Sequence, residues 1–184
     1  MKYWFTADYH LGHANIIKYC NRPFRNINEM NRAIIRNHNE RVKPEDIVFH
    51  LGDFCFKNSS EQRGEGQRIP AKEWERKLNG KIIHIKGNHD KNNSTKTIIQ
   101  NMVIHYSNMD IFCVHNPIDY NPKYKINFTA HVHNNWEIKE EGDIIYTSET
   151  ECIILESNLI NVGVDVNKFM PRTFEELIKK LKRR

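Results

Sequence analysis

Three short runs of aromatic and β-branched residues, Lys2-Tyr3-Trp4-Phe5-Thr6-Ala7, Ile47-Val48-Phe49-His50-Leu51 and Ile82-Ile83-His84-Ile85, alternate with stretches whose apolar residues recur at helical spacing. Such runs read as strands, because branched and aromatic side chains fit a pleated, half-buried surface. Leu11-Gly12-His13-Ala14-Asn15 turns into a short helix carrying Ile16 and Ile17. Ile27, Met30, Ile34 and Ile35 then predict a surface helix from Ile27 to Arg41 that packs on a sheet, with His38 solvated or capping. Pro70, at a first helical position, opens another helix through Trp74 and Leu78, which Asn79-Gly80 ends. Strand, helix, strand, helix, strand is the pattern of βαβ units, so the first half of the chain is expected to build a parallel sheet.

The second half changes character. Met102-Val103-Ile104, Ile111 to Val114, Ile126-Asn127-Phe128, Trp136-Glu137-Ile138, Ile144-Ile145-Tyr146 and Cys152 to Leu155 follow one another without long helices, which predicts antiparallel hairpins. A last strand, Leu159 to Val164, precedes a helix started by Pro171-Arg172-Thr173. Asn58 to Arg68 is polar, holds Gly64 and Gly66, and reads as a surface loop. No repeat or linker divides the 184 residues, so one α/β domain over 1–184 is expected.

Composition excludes several classes. With 39% hydrophobic and 28% charged residues the chain is that of a folded globular protein, not a disordered one. No apolar run approaches the roughly 20 residues that span a bilayer. Lys2 leads straight into a core strand without the apolar stretch of a signal peptide, so the expected location is cytoplasmic. Cys20, Cys55, Cys113 and Cys152 form no C-x-x-C pair and are expected reduced, Cys113 and Cys152 packing as small hydrophobes. The formal charge of +5 permits an anionic partner. Much of it sits at Lys179, Lys180, Lys182, Arg183 and Arg184, where it complements a helix carboxyl terminus.

The chemistry lies at the strand ends. Asp8 and His10 follow the first strand, Gly52-Asp53 the second, Gly87-Asn88-His89-Asp90 the third, His115 the run ending at Val114, and His131 with His133 the run ending at Ala130. Any one of these has a bland reading as a polar turn or core histidine. Five strand ends finishing in the same residue types do not. In open α/β sheets ligands bind outside the carboxyl ends of the strands, where these side chains would converge. Imidazole and carboxylate without thiolate suit manganese, iron, zinc or nickel, and do not suit an all-oxygen calcium cage. Seven candidate ligands are too many for one such ion. Two ions sharing Asp53 use them, at the roughly 3.5–4 Å separation of two-metal hydrolases, and their charge outweighs the carboxylates of Asp8 and Asp53 so as to draw in a phosphate.

Asp8-x-His10, Gly52-Asp53, Gly87-Asn88-His89-Asp90, His115 and His131-x-His133, in this order, resemble the calcineurin-like metallophosphoesterase superfamily. His10-Leu11-Gly12-His13-Ala14-Asn15 and Asn161-Val162-Gly163-Val164-Asp165-Val166 resemble its short bacterial and phage members. The resemblance implies a four-layer α/β/β/α sandwich of two mixed sheets flanked by helices. It implies Asp8, His10 and His133 on one metal, Asn88, His115 and His131 on the other, and Asp53 bridging. Manganese is the expected metal. His89 would be free to assist the leaving group, with Asp90 orienting its ring or capping the segment after it. Ala130 departs from the glycine that often precedes the H-x-H pair and adds only a methyl group.

The reaction implied is hydrolysis of a phosphodiester or phosphomonoester, of a small nucleotide-like substrate, by a metal-bridging hydroxide. His13, Asn15 and Arg22, close after the first ligands, are candidate substrate contacts. Two alternatives stand beside it: a nuclease gripping single strands through the basic tail, with steep salt dependence, and a non-catalytic interaction module of the same fold.

Overall fold

The computed structural model of the chain describes residues 1–56, 69–90, 97 and 99–181. The expected loop at 58–68 and the last three basic residues of the tail lie outside them.

Strands β1 (Tyr3–Thr6), β2 (Ile47–His50) and β3 (Lys81–His84) pair in parallel in the order β1-β2-β3, as the alternation with helices requires. Helices α1 (Asn15–Tyr19) and α2 (Ile27–Arg41) connect the first two, and α3 (Ala71–Glu75) precedes the third. Asn26 caps α2 by accepting from the Glu29 amide at 3.0 Å. Pro70 stands one place earlier than expected, as the cap of a shorter α3. Arg172–Thr173, expected to open the last helix, instead forms β11 and pairs antiparallel with β1 before α4 (Phe174–Leu181) begins.

The second sheet has the order β4-β5-β6-β10-β7, with β4 (Asn101–Tyr106), β5 (Met109–Val114), β6 (Ile126–Thr129), β7 (Ile138–Lys139) and β10 (Asn158–Asn161). Its pairing corrects the expectation of hairpins throughout. The β4–β5 pair is a hairpin and β7 lies antiparallel to β10, but β5, β6 and β10 run parallel to one another. Short connections permit a hairpin without compelling it; here a 3₁₀ turn, Pro117–Asp119, and the chain after it carry β6 back to start beside β5. Strands β8 (Ile144–Tyr146) and β9 (Cys152–Ile154) form a separate hairpin.

The two sheets pack face to face. Phe5, Ala7, Phe49, Leu51 and Ile85 meet Ile111, Cys113, Ile126, Phe128, Ala130, Ile160 and Val162, and Phe174 and Leu177 of α4 close this core. The odd-numbered residues of β1 and β2 supply it, as the two-residue period of a strand demands. Trp4, Val48 and Ile82 point the other way, and the same outer face carries Met30 and Ile34 of α2 and Trp74 of α3. On the outer side of the second sheet, Leu159 packs with Ile145, Leu155 and Trp136 of the hairpin region. This is an α/β sandwich of two mixed sheets. Two side chains differ from expectation: His38 is fully buried, and Cys152 is exposed on the hairpin.

Candidate metal centre

All the strand ends with chemistry emerge along one rim. Asp8, His10 and His133 each bring one ligand atom to within 4.8 Å of the others, and Asp53, His115 and His131 do the same. The backbone shows what this convergence costs. Asp8, His10, Asp53, His131 and His133 all have left-handed φ, between 48° and 71°. Asp and His tolerate that region better than branched residues, yet each such residue stores about 1–3 kcal/mol of strain, which is characteristic of functional turns.

Asp53 lies between the two groups. Its Oδ2 is 3.5 Å from His10 Nε2 and 3.5 Å from His115 Nε2, and accepts no hydrogen bond among the described residues. Its Oδ1 accepts from the His89 amide at 2.9 Å. Asp8 Oδ2 accepts from the His131 amide at 3.1 Å, while Asp8 Oδ1 and His10 Nε2 are buried with no hydrogen-bond partner among the described residues. Asn88 Oδ1 lies 3.0 Å from His115 Nε2, beside the second group.

The histidines are oriented from behind. His115 Nδ1 donates to the Leu51 carbonyl at 2.6 Å, and His133 Nδ1 donates to Asp165 Oδ2 at 2.9 Å. A carbonyl can only accept, so His115 Nδ1 carries the proton and Nε2 is left for a cation. A carboxylate behind a ligating imidazole fixes its tautomer and raises its basicity. Burial pushes the Asp8 carboxyl up to about 6 against the pull of His115 and His133. Burial alone would lower His115 and His133. The carboxylates around them prevail and hold the imidazoles at about 9 and about 10. For Asp53 burial is opposed by His115 and the His89 amide, which keep the carboxyl below its usual range. His10 and His131 go the other way: burial, with Arg22 and the neighbouring imidazoles, pushes His10 well below its usual range, and burial with His115 lowers His131, so both stay neutral rings with a nitrogen free to donate its lone pair.

Asp165 had no role assigned from sequence, although the stretch that contains it was singled out. It takes Arg22 in a two-point pair, Nε to Oδ1 at 2.8 Å and Nη2 to Oδ2 at 2.9 Å. Arg22, expected to contact substrate, is a brace instead. Its side chain is fully buried and also donates to the Asp8 carbonyl at 2.7 Å and the Tyr9 carbonyl at 3.1 Å. Asp90 likewise holds backbone: it accepts from the amides of Gly87, Asp53 and Phe54 at 2.7, 3.0 and 3.2 Å, which ties the turn after β3 to the turn after β2. Two glycines make room for this contact. A Cβ on Gly52 would lie 2.5 Å from His115 Nδ1, and one on Gly87 would collide with the Asp53 carboxylate and amide.

His89 is half-buried, its ring 5.4 Å from that of His10 and 6.0 Å from that of His13. His13 is buried, stacks on Phe56 at 4.4 Å and has Nδ1 3.2 Å from His10 Nδ1. Asn15 opens α1, half-buried. Divalent cations fit this donor set: oxygen and nitrogen atoms aimed at a common space, three of them buried with no hydrogen-bond partner among the described residues, and no thiolate among them.

A sequence model of the calcineurin-like phosphoesterase family matches residues 1–179. An uncharacterized protein of Methanocaldococcus jannaschii is 34% identical over 178 residues, which cover 97% of this chain and 90% of that one. The crystal structure of a protein of unknown function from Aquifex aeolicus shares the fold with a TM-score of 0.64 at 21% identity, covering 97% of this chain and 98% of the other. With a match spanning nearly its whole length and with its two groups of aspartate and histidine side by side, this chain belongs to the calcineurin-like phosphoesterase family.

Proposed function

We propose that the chain is a dinuclear-metal-dependent hydrolase of a phosphate ester, a diester or monoester of a small nucleotide-like molecule, with Mn2+ as its metal and iron, zinc or nickel as ions the same donors suit. The observation that carries this reading is the position of Asp53 Oδ2, 3.5 Å from a histidine nitrogen of each group. In this reading Asp8, His10 and His133 would hold one cation, Asn88, His115 and His131 the other, and Asp53 would serve both. Bound there, the cations would lower the pKa of water and place positive charge on the phosphoryl oxygens. The oxygen of water would join phosphorus, losing a proton to solvent, as the ester P–O bond breaks and His89 gives its proton to the leaving oxygen; solvent then returns a proton to His89. The half-buried ring of His89, within 5.4 Å of His10, supports that role. Arg22, Asp165 and Asp90 act behind the donors, on the carbonyls, imidazole and amides that aim them.

The test pairs a nitrophenyl phosphate monoester with the corresponding diester, wild type beside His89→Ala, with manganese titrated by calorimetry. Metal-dependent turnover that falls about 100-fold or more in the variant is expected of a lost general acid. A protein that binds no divalent ion would overturn the reading in favour of an interaction module.

A further inference from the structure

Two clefts meet at the group of Asp53, His115 and His131, and Asn116 stands between them. The first, about 490 Å³, passes over Asn88 and His115 and is walled by polar side chains, among them Lys86, Gln100, Asn101 and Asp119. The second, about 440 Å³, leaves from His131 and runs between the Pro117–Asp119 turn and the β8–β9 hairpin. Its walls are of another kind: Trp136, Tyr146, Ile118, Ile144 and Ile145. Tyr146 is 76% exposed, and Ile118 and Ile144 are 44% exposed each. Large apolar side chains left in water beside a charged centre mark a surface that a ligand covers.

Resting on the phosphoesterase reading above, we propose that this second groove holds a flat aromatic ring of the substrate, a nucleobase, on the ester arm of the phosphate bound at the centre. Three observations point to that occupant. His131 belongs both to the candidate metal group and to the groove wall, so the groove begins where the phosphate would lie. Two aromatic side chains, Trp136 and Tyr146, line it, and aromatic rings stack with every base. Asn135 and Lys139 add an amide and an ammonium to the same groove, groups that pair with the hydrogen-bonding edge of a base and have no use for an alkyl chain. Among the described residues, the polar cleft on the far side of Asn116 has no Trp, Tyr or Phe in its wall, so the preference has a direction.

The experiment compares adenosine 5′-monophosphate with ribose 5-phosphate, which carries the same phosphate and no base. Binding to manganese-loaded protein is read by equilibrium dialysis in the His89→Ala background, so that turnover consumes neither compound. The nucleotide is expected to bind at least about tenfold more tightly, and the ratio to shrink to within about threefold in Trp136→Ala and in Tyr146→Ala. Tyr146, being exposed, can be truncated without threatening the fold. Equal affinities for two compounds that both bind would overturn the groove and leave the phosphoesterase reading standing. A nucleotide preference unchanged in both variants would place the base elsewhere and overturn it as well. If neither compound binds the metal-loaded protein, the groove reading falls, and the phosphoesterase reading is decided separately by turnover of the nitrophenyl esters.

Discussion

Replacing Asp165 by asparagine removes one charge and almost no volume, and the geometry around it dictates the result. Oδ1 accepts from Arg22 Nε, and Oδ2 accepts from both Arg22 Nη2 and His133 Nδ1. The new NH2 must take one of these positions. In the Oδ1 place it opposes Arg22 Nε alone; in the Oδ2 place it opposes both Arg22 Nη2 and His133 Nδ1, so at least one bond of the Arg22 pair is lost either way. The Arg22 side chain is 0% exposed and that of Asp165 3%, so no water compensates. Breaking one side of a buried pair costs about 3–5 kcal/mol, and the oxygen that remains puts Asp165→Asn near the lower figure. For a chain of this size that lowers the Tm by roughly 10 °C. Loss of the negative charge behind a ligating histidine lowers the basicity of its ring, and changes to such supporting partners weaken metal binding by about 10–100-fold. Thermal unfolding in chelator and calorimetric titration with manganese measure the two effects separately. A variant with both values unchanged would refute the view that Asp165 braces the centre.

His38 gives a pH dependence away from the donors. Its Nε2 donates to the Asn79 carbonyl at 2.8 Å and Nδ1 lies 2.7 Å from the Tyr9 hydroxyl, so the neutral ring is satisfied; burial pushes its pKa down to about 4. The unfolded chain then binds the extra proton between about pH 6.5 and 4, so stability falls as pH drops through that window, by on the order of 3 kcal/mol, and His38→Gln should flatten that part of the curve of Tm against pH. Gly87→Ala should cost about 1–3 kcal/mol and also weaken manganese binding, because the added methyl must push the Asp53 carboxylate away from its position between the groups. A Gly87→Ala protein with wild-type metal affinity would show that the turn can yield.

The strands of the first half were legible because each alternates between two faces, Phe5 and Phe49 toward the second sheet and Trp4 and Val48 toward the helices. The residues of the two groups were legible too, since a strand that ends in Asp or His announces itself locally. His38 was misread because helical spacing shows which face is apolar and not that an imidazole on it will find Tyr9 and Asn79. The hairpins expected after residue 100 rested on short connections, and these do not state which strands pair.

By itself, then, the sequence determined what short-range chemistry controls: where strands stop, which residue types stand at their ends, and which turns demand glycine or tolerate left-handed Asp and His. The tertiary structure alone decided that Arg22 meets Asp165 across 143 positions, that Asp90 holds the amide of Asp53, and that a groove walled by Trp136 and Tyr146 opens from His131. The reason is physical. A residue's type and its neighbours fix its local preferences, whereas a partner far along the chain is chosen by the packing of whole sheets, where the entropy of closing long loops is offset only by many contacts at once.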